Sequence, residues 1–80
     1  MNNYTTQDLE MYFGDSLEDY KDQANDMLDY YDWDVIVNYM DDEICDELHY
    51  AIAPCDDYTF LMWYFAKHAE KYGEDFYTAF

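Results

Sequence analysis

Residues 16–31, SLEDYKDQANDMLDYY, decide the fold class of this 80-residue chain. On a wheel of 3.6 residues per turn, Leu17, Tyr20, Ala24, Met27, Leu28 and Tyr31 share one arc of roughly 100°. Asp15, Glu18, Asp19, Asp22, Asp26 and Asp29 fill the opposite arc. Two clean faces at helical spacing predict an amphipathic helix, with Ser16 as its N-cap and Glu18 and Asp19 in the first turn, where carboxylates suit the helix dipole. The acidic face forms a ridge about 21 Å long at 1.5 Å per residue. Lys21 is the only cation in the segment.

The same periodicity extends outward in both directions. A shorter helix over residues 8–13 is expected before Gly14, preceded by Thr5 and Thr6. Trp33, Ile36, Val37, Met40, Ile44, Leu48 and Ala51 continue at helical spacing; the β-branched run Val35, Ile36 and Val37 leaves a short strand as the alternative. Asp41 can cap a new helix, with Asp42 and Glu43 in its first turn, so a break is expected near Met40 and a stop before Pro54. Residues 54–57 then read as turn and cap. From Tyr58 to Tyr72 a wide apolar arc holds Leu61, Tyr64, Phe65, His68 and Tyr72, and Gly73 closes the helix. Trp63 falls outside that arc, between Lys67 and Glu70, and reads as exposed. The aromatic tail over residues 74–80 has no state that periodicity resolves. The expectation is an all-α, single-domain bundle of about four to five short helices spanning residues 1–80.

Composition supports folding: hydrophobic residues make up 51% and aromatics 22% of the chain. That is too apolar for a disordered acidic tail. A chain this short buries roughly 60–65% of its surface, and aromatics that each bury about 150–250 Å² can build a core from few positions. The charge is extreme: 20 Asp and Glu stand against 3 lysines and no arginine, a formal net charge of -17. Solubility is served by a magnitude of about 2–8, so the excess repulsion is not explained by solubility. Direct nucleic-acid binding and docking on anionic membranes both need the opposite sign. The partner should be basic. No run of ~18 apolar residues and no signal-peptide pattern is present, so residence in the cytoplasm is expected, with Cys45 and Cys55 as reduced thiols in the core.

Catalytic and metal chemistry find little support. Carboxylates are too widespread for any pair to single out acid–base catalysis, and no cationic setting would activate Cys55 beside His68. Cys45, His49, Cys55 and His68 could be assembled into a zinc site, although their spacing fits no usual zinc pattern and core packing is the simpler reading. The oxygen-rich Asp32, Asp34 and Asp41, Asp42, Glu43 lack the glycine and glutamate of a calcium loop. No cofactor and no metal are expected.

The ridge is more informative. Solvated helix faces usually mix signs at three- and four-residue spacing, whereas this face forgoes those pairs at a cost to helix stability. A binding role accounts for that cost; a halophilic surface is the other reading. Duplex DNA carries one charge per about 1.7 Å, so 20 carboxylates match roughly ten base pairs. Ridge positions rise about 4.5–6 Å along the axis, comparable with phosphate spacing. Such a surface can occupy an Arg/Lys-lined nucleic-acid site, with exposed aromatics such as Tyr30 or Trp63 adding stacking or cation–π contacts on arginine.

Here the chain resembles the small acidic DNA mimics of phages and mobile elements, the Ocr-type anti-restriction and acidic anti-CRISPR proteins, in size, helicity, tyrosine richness and absence of arginine. A textual likeness to small proteins of mobile elements covers residues 40–76. It is carried by Asp41-Asp42-Glu43-Ile44, Glu47-Leu48-His49, Ala53-Pro54-Cys55 and Glu70-Lys71-Tyr72-Gly73-Glu74-Asp75-Phe76. The resemblance implies a non-enzymatic inhibitor whose partner is a basic nucleic-acid-binding protein, a CRISPR effector ahead of a restriction enzyme. The expected contact residues are Asp15, Glu18, Asp19, Asp22, Asp26, Asp29, Tyr30 and Asp32. An acidic, antitoxin-like chaperone of another basic protein is the alternative.

Overall fold

In a computed structural model describing residues 6–52 and 55–79, every regular element is helical. Helix α1 spans Thr6–Phe13, and a 3-10 turn over Gly14–Ser16 leads into α2, Leu17–Tyr30. Then follow α3 (Trp33–Asn38), α4 (Asp42–Ala51), α5 (Asp57–Tyr72) and the four-residue α6 (Phe76–Ala79). This is the all-α architecture that the periodicity predicts, and the β-branched run over residues 35–37 is helical. Thr5, Pro54 and Phe80 lie outside the described residues.

Local chemistry sets most boundaries. Asp41 and Asp56 are both extended and cap their helices, accepting the backbone N–H of Glu43 at 2.8 Å and of Thr59 at 2.9 Å. Gly73 ends α5 at φ 73°, a left-handed conformation that costs an L residue about 1–2 kcal/mol. Ser16 departs from expectation. Its backbone is already helical (φ -83°, ψ -5°) and its side chain makes no capping bond. A cap needs an extended residue, and the 3-10 turn that feeds α2 removes that geometry.

The core is organised around α5, which packs against α1, α2, α4 and α6. Leu61, Met62, Trp63, Tyr64, Phe65 and Ala66 are all buried in succession. Trp63 is only 3% exposed, correcting its expected exposure: a helix surrounded by neighbours has no solvent arc in these turns. Leu9 and Phe13 of α1, Ala24 and Met27 of α2, and Ile44 and Leu48 of α4 close on it. Aromatic rings link the layers, with Phe13 to Tyr20 at 4.4 Å and Tyr64 to Phe76 of α6 at 4.7 Å between centroids. The tail thus returns to the core through Phe76. Tyr72, expected in the apolar arc of α5, is instead 51% exposed.

The α3–α4 corner is latched to the end of α5. Lys71 Nζ lies 2.9 Å from Asp41 Oδ2 and 3.0 Å from Glu43 Oε2, the Tyr72 hydroxyl donates to Asp41, and the Asp41 N–H donates to Tyr64 Oη at 2.7 Å. Hydrogen bonds from Tyr72 and then Lys71 hold the Asp41 carboxyl well below the usual carboxylate range. A depressed folded-state pKa contributes stability above the unfolded value of about 3.9, and loses it as pH falls through the folded value. Lowering pH toward the isoelectric point of about 4.1 also relieves net repulsion, which acts in the opposite direction. The difference between wild type and Asp41→Asn isolates the latch. Urea midpoints should show wild type more stable from pH 5 to 7 and the gap closing below about pH 4. A gap independent of pH would mean that the carboxylate charge is not what holds the corner.

Candidate functional site

Helix α2 presents its carboxylates as the wheel predicts. Ala24 and Met27 are buried against the core with Leu17, Tyr20 and Leu28 partly covered, which turns Glu18, Asp19, Asp22, Asp26 and Asp29 outward as exposed side chains. From Glu18 to Asp29 the helical ridge runs about 17 Å at 1.5 Å per residue. Asp15 is exposed but lies in the 3-10 turn before α2, so its angular position does not follow the α-helical wheel. Tyr30, the last residue of α2, is 80% exposed. Asp32 is an extended residue at the start of α3 whose side chain makes no capping bond, leaving its exposed carboxylate at the ridge's end.

The lysines explain why α2 is electrostatically distinctive. Lys71 pairs with Asp41 and Glu43, and Lys67 with Glu47 at 3.4 Å, so two of the three cations compensate α4 and its cap. Lys21 pairs with Glu18, at 3.6 Å. Among the described residues, no ion pair compensates Asp19, Asp22, Asp26 or Asp29. Four charges fixed to a packed helix are an arrangement that would lose little freedom against a cationic surface.

Tertiary structure adds residues that periodicity did not indicate. Tyr31 was expected in the apolar arc; it is extended beyond the helix end and 44% exposed. With Asp26, Met27, Tyr30 and Tyr77 of α6 it lines a cleft of about 240 Å³ beside the ridge. Three phenol rings next to a carboxylate suit a guanidinium, which stacks on aromatic faces and pairs with oxygen. At the other end of the ridge, burial pushes the Tyr58 phenol up; Lys21 lowers it, while Glu18 and Asp22 of α2 and Asp56, the cap of α5, raise it further. The N-terminal half of the ridge therefore shares its field with the start of α5.

The alternative chemistries do not assemble. Both cysteines are free thiols; Cys45 is partly buried against the core, whereas Cys55 is exposed, which corrects its expected place there. Burial and then neighbouring aspartates push both thiols up, the reverse of nucleophile activation. Cys45, His49 and Cys55 line one groove, whereas His68 packs on Tyr64, Tyr72 and Phe76 with Nδ1 at 3.0 Å from the Glu74 carbonyl oxygen. Among the described residues no group of three or more His, Cys, Asp or Glu side chains could hold a metal, and no helix is long and apolar enough to cross a membrane.

Comparison with known proteins gives one result. Residues 29–76, more than half of the chain, match the family model described as anti-CRISPR protein AcrIC5. No curated protein and no solved structure matches the chain. The match takes in Asp29, Tyr30 and Asp32 and leaves the earlier ridge residues N-terminal to it.

Proposed function

This chain belongs to the anti-CRISPR protein AcrIC5 family, and from that premise we propose that it inhibits by DNA mimicry, seating α2 in the Arg/Lys-lined nucleic-acid site of a CRISPR effector. As an anti-CRISPR protein it acts on a CRISPR–Cas component. The carrying observation is the row of uncompensated carboxylates, Asp19, Asp22, Asp26 and Asp29, on one packed helix. RNA-guided effectors read a short duplex motif through protein arginines before base pairing begins, and such a site is compact enough for a rigid helix. Glu18 and Asp32 extend the ridge, Asp15 flanks it, and the cleft at Tyr30, Tyr31 and Tyr77 receives an arginine at its end. The aspartates stand in for phosphates by releasing the counterions and making the hydrogen bonds that DNA would.

Competition tests this reading. At about 0.1 M salt, a modest excess of the protein is expected to displace a short target duplex from the effector it inhibits. Raising salt from about 50 to 200 mM should weaken the protein's own binding by a hundredfold or more, as for ligands that neutralise many charges. Simultaneous binding of duplex and inhibitor, with inhibition intact, would exclude mimicry.

A further inference from the structure

A second surface is built between α3, α4 and the start of α5, where a groove of about 520 Å³ opens to solvent. Its walls include Trp33, Val37, Ile52 and Phe60, with the Trp33 and Phe60 rings edge to face at 6.0 Å. Asp42 and Asp57, each the first residue of its helix and exposed, also line it. No lysine does. The groove lies wholly within the segment that matches the family, whereas most of the α2 ridge precedes that segment.

We infer that this groove receives an arginine-bearing segment of the protein's target, with the side-chain stem and guanidinium face on Trp33 and Phe60 and the guanidinium head between Asp42 and Asp57. Charge decides the occupant. A second copy of the chain would bring another net charge of -17 to the rim, and nucleic acid repels it likewise. A cation is favoured, and apolar aromatic walls select the flat, weakly hydrated guanidinium over the strongly hydrated ammonium. The groove would thus provide a contact separate from α2, and two linked contacts bind more tightly than either alone. The inference does not rest on DNA mimicry, since a target arginine here need not be one that reads DNA.

The test uses the full chain with Asp19, Asp22, Asp26 and Asp29 changed to Asn, so that α2 cannot supply the signal. Titration with hexa-arginine, followed by NMR, is expected to shift the Trp33 indole resonance saturably. Hexa-lysine should bind at least threefold more weakly, and adding Asp42→Asn with Asp57→Asn should weaken hexa-arginine at least fivefold. Because those aspartates begin helices, the unmodified protein provides a second readout. Cys55 lines the groove, so its labelling by N-ethylmaleimide should slow at least threefold in the presence of hexa-arginine. An unmoved Trp33 resonance, equal affinity for hexa-lysine, insensitivity to the Asn pair, or unchanged labelling would each overturn the inference. An occupant recognised by apolar contact alone would produce that insensitivity.

Discussion

Reversing Asp19, Asp22, Asp26 and Asp29 to lysine is expected to abolish inhibition while leaving the helical fold intact. Each substitution replaces a charge-assisted contact with repulsion. Even about 1 kcal/mol per position, at the low end for such contacts, compounds to roughly a thousandfold loss of affinity. Stability should hold or rise slightly. The four side chains are exposed and, among the described residues, in no ion pair, and their reversal brings the net charge of -17 closer to zero, which relieves self-repulsion of the folded state. A lysine at position 22 would also stand four residues after Glu18, the favourable order for an ion pair.

The control for net charge must lie away from α2. Asp56 and Asp75 are unsuitable, because Asp56 shares the field around Tyr58 and Asp75 accepts the Tyr20 hydroxyl of α2 at 2.5 Å. Asp34, Asp46, Glu70 and Glu74 are exposed, and reversing them adds the same charge. That variant should retain inhibition within about tenfold, a loss of about 1.4 kcal/mol. Equal loss in both quadruple variants would show that overall charge, not the α2 ridge, carries the activity.

The largest expected effect on stability is at Phe65. This ring is fully buried in α5 and lies 5.9 Å from Tyr20 and 6.3 Å from Phe76 between centroids. Truncation to alanine in such a site costs about 3–5 kcal/mol. At about 0.05–0.15 kcal/mol per residue, a domain this size has only about 4–12 kcal/mol in total. Phe65→Ala should therefore lose most of its cooperative melting transition, and inhibition with it. Tyr50→Ala is the matched contrast. Tyr50 is 84% exposed, so its loss should change stability by less than about 0.5 kcal/mol. A comparable drop in melting temperature for both would mean that α5 is not the centre of the core.

What the sequence determined by itself was local. The all-α class, the cap at Asp41, a turn and cap within residues 54–57, the glycine stop at Gly73 and the two faces of α2 all follow from residues within a few positions of one another. Backbone geometry and hydrogen bonding impose those relations wherever the segment sits. The ridge was legible for the same reason, since Glu18 to Asp29 lie on a single helix with small and apolar residues opposite.

Tertiary structure alone decided what each helix meets. Periodicity shows that α5 has one apolar arc, but whether neighbours also cover Trp63 depends on the number of helices packed around it. Tyr31 and Tyr77 share a cleft only because α6 folds back beside the end of α2. The pairing of Lys71 with Asp41 spans thirty positions, and this use of scarce cations near α4 helps leave the α2 carboxylates uncompensated. The groove between α3, α4 and α5 likewise has no signature in any one segment, because its walls and acidic rim come from separate helices. Such contacts are set by the packing of the whole chain, where burial of apolar surface selects one arrangement of helices whose individual faces are compatible with several.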